Sequence, residues 1–152
     1  MCSGTRRAGS YDKVLGMIEW VMEGLLARSC RPGFNGVNAP VLAEELDRWL
    51  AALREMGIKS ILCLLANDQL TFCPDLPTDL IAYYLEAGFQ VVHIPVKDFQ
   101  WPPLSTDQLA QVWRAYQQLP KPVLVHCNAG ISRTGSAVEY IQERLTIEEG
   151  MS

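Results

Sequence analysis

Histidine is scarce in this sequence, with His93 and His126 the whole supply among 152 residues. Zinc sites draw their three or four protein ligands mainly from Cys and His. Two histidines and no Cys-x-x-Cys pair therefore leave no metal site to expect, and no cofactor is expected either. Cysteine is sparse and odd in number: Cys2, Cys30, Cys63, Cys73 and Cys127. The first ten residues, Met1 to Ser10, contain no apolar stretch of the kind a secretion signal requires. Together these argue against a disulfide framework and lead to the expectation of a cytoplasmic protein. Long hydrophobic runs are absent as well. The longest, Ile61 to Ala66, falls far short of the ~20 residues that cross a bilayer. Nor is there an excess of basic charge: the net charge of −4 disfavours non-specific binding to nucleic acid or an anionic membrane, so neither partner is expected. Any attraction for an anion has to be local.

What the sequence does have is the material of one folded domain. Its 49% hydrophobic and 20% charged residues are ordinary globular proportions, at a length that encloses one proper core. Residues 1–13 lack apolar periodicity and read as a flexible arm. Apolar runs from Met17 to Met22 and from Leu25 to Ser29 flank the turn dipeptide Glu23-Gly24 and predict a β-hairpin. Between Val41 and Met56, Leu42, Leu46, Trp49, Leu50 and Leu53 recur at three and four, with Gly57 as a stop, so an amphipathic helix is predicted. Ile58 to Leu65, apolar but for Lys59 and Ser60, has the pattern of a strand buried on both faces. The pattern repeats: a loop over 67–78, a helix over 79–87, a strand over 89–96, a helix opening at Ser105, a strand over 122–125, and helical spacing from Ala137 to Leu145. Helices alternating with core strands predict a single α/β domain, its central and mostly parallel sheet flanked by helices. Ligands of such sheets bind at the carboxyl ends of the strands.

One such end carries His126-Cys127-Asn128-Ala129-Gly130-Ile131-Ser132-Arg133-Thr134-Gly135. A strand, a glycine-bearing loop and a helix start form an anion cradle, because loop N–H groups and the helix dipole together favour a phosphate dianion. Gly130 lets the backbone close up, and Arg133, six positions after Cys127, can return to the anion as a planar fork. The same dipoles favour thiolate over thiol at Cys127, which makes it a candidate nucleophile. A thiolate facing a phosphate ester implies phosphoryl transfer to sulfur followed by hydrolysis. Such a reaction needs a general acid for the leaving oxygen. Asp98 is the candidate, in Val96-Lys97-Asp98-Phe99-Gln100-Trp101-Pro102-Pro103 just past a core strand. Trp101, beside two prolines, is expected to anchor that loop rather than lean over the pocket.

The string His-Cys-x-x-Gly-x-x-Arg-Thr-Gly resembles the signature loop of the cysteine-dependent protein tyrosine phosphatase superfamily. Its Ala129-Gly130-Ile131-Ser132-Arg133 core resembles the dual-specificity branch. The loop holding Asp98, about thirty residues before Cys127, is similar to the acid loop of small atypical members, and the hairpin with Arg31-Pro32-Gly33 to their opening segment. The resemblance implies a phosphatase domain over residues 14–149 that needs no metal. It makes Cys127 the nucleophile, Asp98 the acid and then base, and Arg133 with the amides of Asn128, Ala129, Gly130, Ile131 and Ser132 the holder of the phosphate oxygens. It also makes Thr134, before Ser132, the hydroxyl expected to hydrogen-bond the sulfur, and His126 a support of the loop. Cys63 and Cys73 are expected to be plain buried cysteines rather than redox partners of Cys127. His93 is expected to be a strand residue.

A phosphoprotein is the expected substrate, through phosphotyrosine and then phosphoserine or phosphothreonine, since the loop has no lysine for a phosphoinositide. A phosphopeptide-binding module or a phosphoglucan phosphatase is the alternative. Family members usually continue with further helices, whereas here one helix, about 134–149, follows Arg133. This short end is expected to uncover Val138, Ile141 and Leu145, giving a monomer or a weak dimer.

Overall fold

The computed structural model describes residues 18–34 and 39–148. The arm expected over 1–13, the first residue of the expected hairpin, Met17, and the expected end of the last helix at 149 lie outside these. The hairpin is formed by β1 (Ile18–Met22) and β2 (Leu26–Ser29), paired antiparallel. Helix α1 (Ala43–Glu55) buries Leu46, Trp49, Leu50 and Leu53, the stripe its spacing predicts. Glu44 and Glu45 in its first turn and Arg54 in its last oppose the helix dipole.

Strand β3 (Ser60–Cys63) leads to one 3₁₀ turn at Asn67–Gln69 and then to α2 (Leu80–Glu86). Asp79 opens α2 by accepting the Ala82 N–H at 2.9 Å. After β4 (Gln90–His93), α3 (Thr106–Gln118) starts on a reciprocal cap. Ser105 Oγ accepts the Gln108 N–H at 3.1 Å, and Gln108 Oε1 accepts the Ser105 N–H at 2.9 Å. Strand β5 (Val123–His126) and helix α4 (Ser132–Glu148) complete the chain.

The sheet order is β1-β2-β5-β3-β4, parallel except for β1. The apolar run of β3 serves two layers because successive side chains point to opposite faces. Ile61 and Cys63 pack into the core beneath α1 and α2, while Leu62 and Leu64 pack into the core beneath α3 and α4. On β5, Leu124 joins the first core, and Val123 and Val125 the second. Full burial of each such Leu or Val stabilises the fold by ~1.5–3 kcal/mol.

Two differences from the sequence reading have physical causes. The strands are shorter than their apolar runs, 60–63 rather than 58–65 and 90–93 rather than 89–96. Pairing ends where each chain turns out toward the site, while Leu64, Leu65, Ile94 and Val96 stay buried as loop residues. The second difference concerns α4, which begins at Ser132 and lies against α3 and the sheet. Val138 and Ile141 are buried there, and Leu145 is half-buried. The apolar surface expected to need a partner is covered within the chain.

Candidate active site

Strand β5 lies in the middle of the sheet and delivers His126 and Cys127 to its carboxyl edge. His126 is fully buried, with Trp49 and Tyr84 meeting its ring edge-on at centroid distances of 5.5 and 5.9 Å. Burial pushes its pKa down to about 4, so near neutral pH the imidazole is uncharged. Its Nδ1 lies 3.0 Å from the Cys127 carbonyl oxygen, which can only accept, so Nδ1 carries the proton. Nε2 then accepts from the Tyr84 hydroxyl at 3.0 Å. Tyr84, through His126, thus holds the carbonyl of Cys127.

Cys127 is 2% exposed, and its Sγ accepts the Gly130 N–H at 3.3 Å. The loop folds over the sulfur because Gly130 adopts φ +77°, where a side chain is strained. A Cβ there would also stand 2.7 Å from the Cys30 nitrogen. The outer side of the loop is tied to the end of β2. Arg28 Nη2 donates to the Gly130 carbonyl at 2.7 Å. Arg31 donates its backbone N–H to the Asn128 carbonyl and its Nε to Asn128 Oδ1, both at 2.9 Å. The Arg31 side chain is buried, with its guanidinium over the rings of Phe72 at 4.7 Å and Phe34 at 5.4 Å. Burial lowers its pKa from the ordinary arginine value.

Arg133, in the first turn of α4, is also 2% exposed. Its Nη1 donates to Gln69 Oε1 at 2.8 Å, to the Val96 carbonyl at 2.9 Å and to the Leu64 carbonyl at 3.3 Å. Its Nη2 pairs with Asp98 Oδ2 at 2.9 Å. Asp98 Oδ1 accepts the N–H of Phe99, a non-glycine residue at φ +58°. Cys127, Arg133 and Asp98 line one open cleft of about 360 Å³, with Lys97, Phe99 and Ile131 at its sides. The carboxyl ends of β3, β4 and β5 therefore bring a sulfur, a guanidinium and a carboxylate together.

The family described as "Polymorphic toxin system, DSP-PTPase phosphatase" matches residues 35–142. The chain belongs to this family. It is thereby a phosphatase of the cysteine-dependent superfamily that its signature loop resembles. No curated protein matches it at a significant level. Solved structures share its fold: Tk-PTP in the active form is 24% identical, with a TM-score of 0.54 over 90% of this chain and 76% of that one. Kinase associated phosphatase, with its catalytic-site cysteine replaced by serine, is 17% identical, with a TM-score of 0.62 over 79% of this chain and 65% of that one. The core catalytic domain of the PP-IP phosphatase Siw14 from S. cerevisiae is 21% identical, with a TM-score of 0.56 over 83% of this chain and 64% of that one.

In this DSP-PTPase phosphatase the structure places most of the residues singled out in the sequence around the cleft, including Asn128, Ala129 and Ser132 in its lining. Thr134 is different. Its buried Oγ1 has no hydrogen-bond partner, so the expected bond to the sulfur is not made, and the donor to Sγ is the Gly130 amide. Trp101 does not anchor its loop, being 89% exposed, and Phe99 is 96% exposed. The two prolines after Trp101 carry the chain back toward buried Leu104 and leave the indole in solvent.

Cys63 and Cys73 are free thiols, as expected, each pushed up to about 12, chiefly by loss of solvation and at Cys73 also by Asp75. Cys30 is disulfide-bonded. His93 is a strand residue bonded to the Leu65 carbonyl. Among the described residues no group of His, Cys, Asp and Glu could hold a metal ion, and no helix is long and apolar enough to cross a membrane.

Two residues that hold the cleft's lining in place have no role in the sequence reading, Gln69 bonded to Arg133 and Asp98 and Arg31 bonded to Asn128. Gln69 lies in a stretch without periodicity, and nothing in its spacing signals a partner. Arg31 carries a signal, a basic residue before Pro32-Gly33, but that pattern alone points only to the end of the opening hairpin.

Proposed function

We propose that this phosphatase hydrolyses phosphate monoesters on proteins, phosphotyrosine first and phosphoserine or phosphothreonine after it, through a phosphocysteine intermediate. The reading rests above all on one observation: Cys127 Sγ and the Arg133–Asp98 pair line the same cleft. The Cys127 thiolate attacks phosphorus, the bond to the leaving oxygen breaks, and Asp98 gives that oxygen its proton. Asp98, now a carboxylate, takes a proton from water. The resulting hydroxide displaces sulfur, which releases inorganic phosphate and restores the thiolate. Arg133 and the loop amides of 128–133 hold the non-bridging oxygens, the positioning on which phosphoryl transfer mainly depends. Tyr84 and His126 keep the loop in shape without exchanging protons.

A protein substrate is favoured by the cleft's surroundings. It is open, its lining includes the exposed apolar side chains of Phe99 and Ile131, and among the described residues Lys97 and Arg133 are the cations that line it. A polyphosphorylated inositol, the class named for Siw14, would meet few positive charges here. The family name sets such phosphatases in toxin systems; in that setting the phosphoprotein would belong to a target cell. The test is hydrolysis of a small aryl phosphate with vanadate as inhibitor and no added metal. Cys127→Ser is expected to lose activity, and Asp98→Asn to lose about 10²–10⁴ in turnover, the usual contribution of a general acid. An undiminished rate in Cys127→Ser sinks the reading.

A further inference from the structure

We propose that Gln69 is a positioning residue that fixes the anion-facing edge of Arg133 and holds Asp98 on that edge until a phosphate takes its place. The proposal rests on the roles given above to Arg133 and Asp98. Its starting point is the direction of every bond at the side-chain amide. Gln69 Oε1 accepts from Arg133 Nη1 at 2.8 Å and from the Ala66 N–H at 3.0 Å. Two donors facing one end of an amide fix which end is oxygen, because the flipped amide would set N–H groups against N–H groups. The Nε2 end is thereby aimed at Asp98 Oδ2, 3.2 Å away. Gln69, Arg133 and Asp98 form a closed triangle.

The triangle sorts the guanidinium into two edges. All three contacts of Nη1 are to protein acceptors: Gln69 Oε1 and the carbonyls of Val96 and Leu64. That nitrogen is an anchor. Nη2 meets Asp98, and among the described residues the hydrogen bonds of this side chain are made by Nη1, so the Nε–Nη2 fork is the edge left for an oxyanion. Asp98 Oδ2 stands at the Nη2 corner of that fork, where one of the two oxygens of a bidentate phosphate would bind. An arriving dianion competes with the carboxylate for the same donor and repels it, so binding of substrate and release of Asp98 toward the leaving group are one event. The charged or titratable groups lining the cleft around Asp98 are Lys97, Cys127 and Arg133. Gln69 contributes no charge, and its amide bridges the two without neutralising the arginine.

The test separates this role from the reaction. In a Cys127→Ser background, which needs no turnover, inorganic phosphate is titrated by calorimetry. Gln69→Leu, which removes the anchor, is expected to weaken binding about tenfold. Gln69→Glu keeps an acceptor for Arg133 but offsets its charge and sets a second negative group beside the anion, and is expected to weaken phosphate binding at least as much as Gln69→Leu. With Cys127 intact and an aryl phosphate as substrate, Gln69→Leu raises KM more than it lowers kcat. Gln69→Glu sets a second carboxylate beside Asp98, which disfavours ionisation, and moves the alkaline limb of kcat up by about one pH unit. Should Gln69→Leu prove unstable, Gln69→Glu has the same shape and carries the test alone. Phosphate affinity unchanged in Gln69→Leu, or an alkaline limb unmoved in Gln69→Glu, overturns the proposal. Activity surviving in Cys127→Ser overturns the proposed reaction instead, and the phosphate titration still decides the part played by Gln69.

Discussion

His126 shows how one residue ties the chemistry of the site to the stability of the fold. Its folded pKa of about 4 is below the value of about 6.5 it has when unfolded. Above pH 6.5 both states are neutral and the group contributes no pH dependence. As pH falls below 6.5 the unfolded chain takes up a proton that the folded chain refuses, so stability is lost progressively down to about pH 4, by ~3 kcal/mol in all. Urea unfolding midpoints are expected to fall through that window, and His126→Gln to flatten the slope there while lowering the midpoint at neutral pH. An equal slope in the variant would place the acid sensitivity elsewhere. Arg31 is the second residue with consequences beyond its own position. Arg31→Met keeps an unbranched apolar stem but removes the guanidinium that lies over Phe72 and Phe34 and its bond to Asn128 Oδ1, a charge-assisted contact of ~1.5–3 kcal/mol. A tenfold or greater fall in kcat/KM toward an aryl phosphate, with a smaller change in melting temperature, is expected.

At the scale of elements, the helices were the most legible part of the sequence and the loops at the site the least. The stripe of Leu46, Trp49, Leu50 and Leu53 appears in the sequence as it appears in the core, because the helical repeat and the burial of one face are the same constraint seen twice. The run from Ile58 to Leu65 gave a buried strand but not its ends, since apolar residues continue past the last ladder bond into loops that are buried for another reason. The loop from His126 to Gly135 could be read because its chemistry demands particular residues at fixed spacing. Gln69 could not. Its role exists only once the 3₁₀ turn after β3 is brought against α4, a contact across 64 positions that no local pattern encodes. Trp101 was misjudged for a related reason: an aromatic beside prolines is ordinarily an anchor, and only the path of the loop shows that nothing lies beneath it.

Taken as a whole, the molecule has two cores on either side of one sheet, and α4 closes the second. With Val138 and Ile141 buried within the chain, a single species of monomer mass is expected in sedimentation velocity at micromolar concentration. A concentration-dependent shift toward the dimer would point to another surface. The sheet order has a further effect on how the two halves of the site endure. Cys127 follows β5, hydrogen-bonded on both sides by β2 and β3, whereas Asp98 lies beyond β4, which among the described residues is an edge strand paired with β3 alone. Openings of least free energy start at edges, so amide hydrogens of β4 are expected to exchange with deuterium faster than those of β5. On this expectation the nucleophile rides on a strand that opens late and the carboxylate on a segment that loosens earlier. A partly opened molecule would therefore keep the cysteine loop while losing both the means to protonate the leaving group and the Val96 carbonyl that anchors Arg133, and mild destabilisation should silence this phosphatase well before it unfolds.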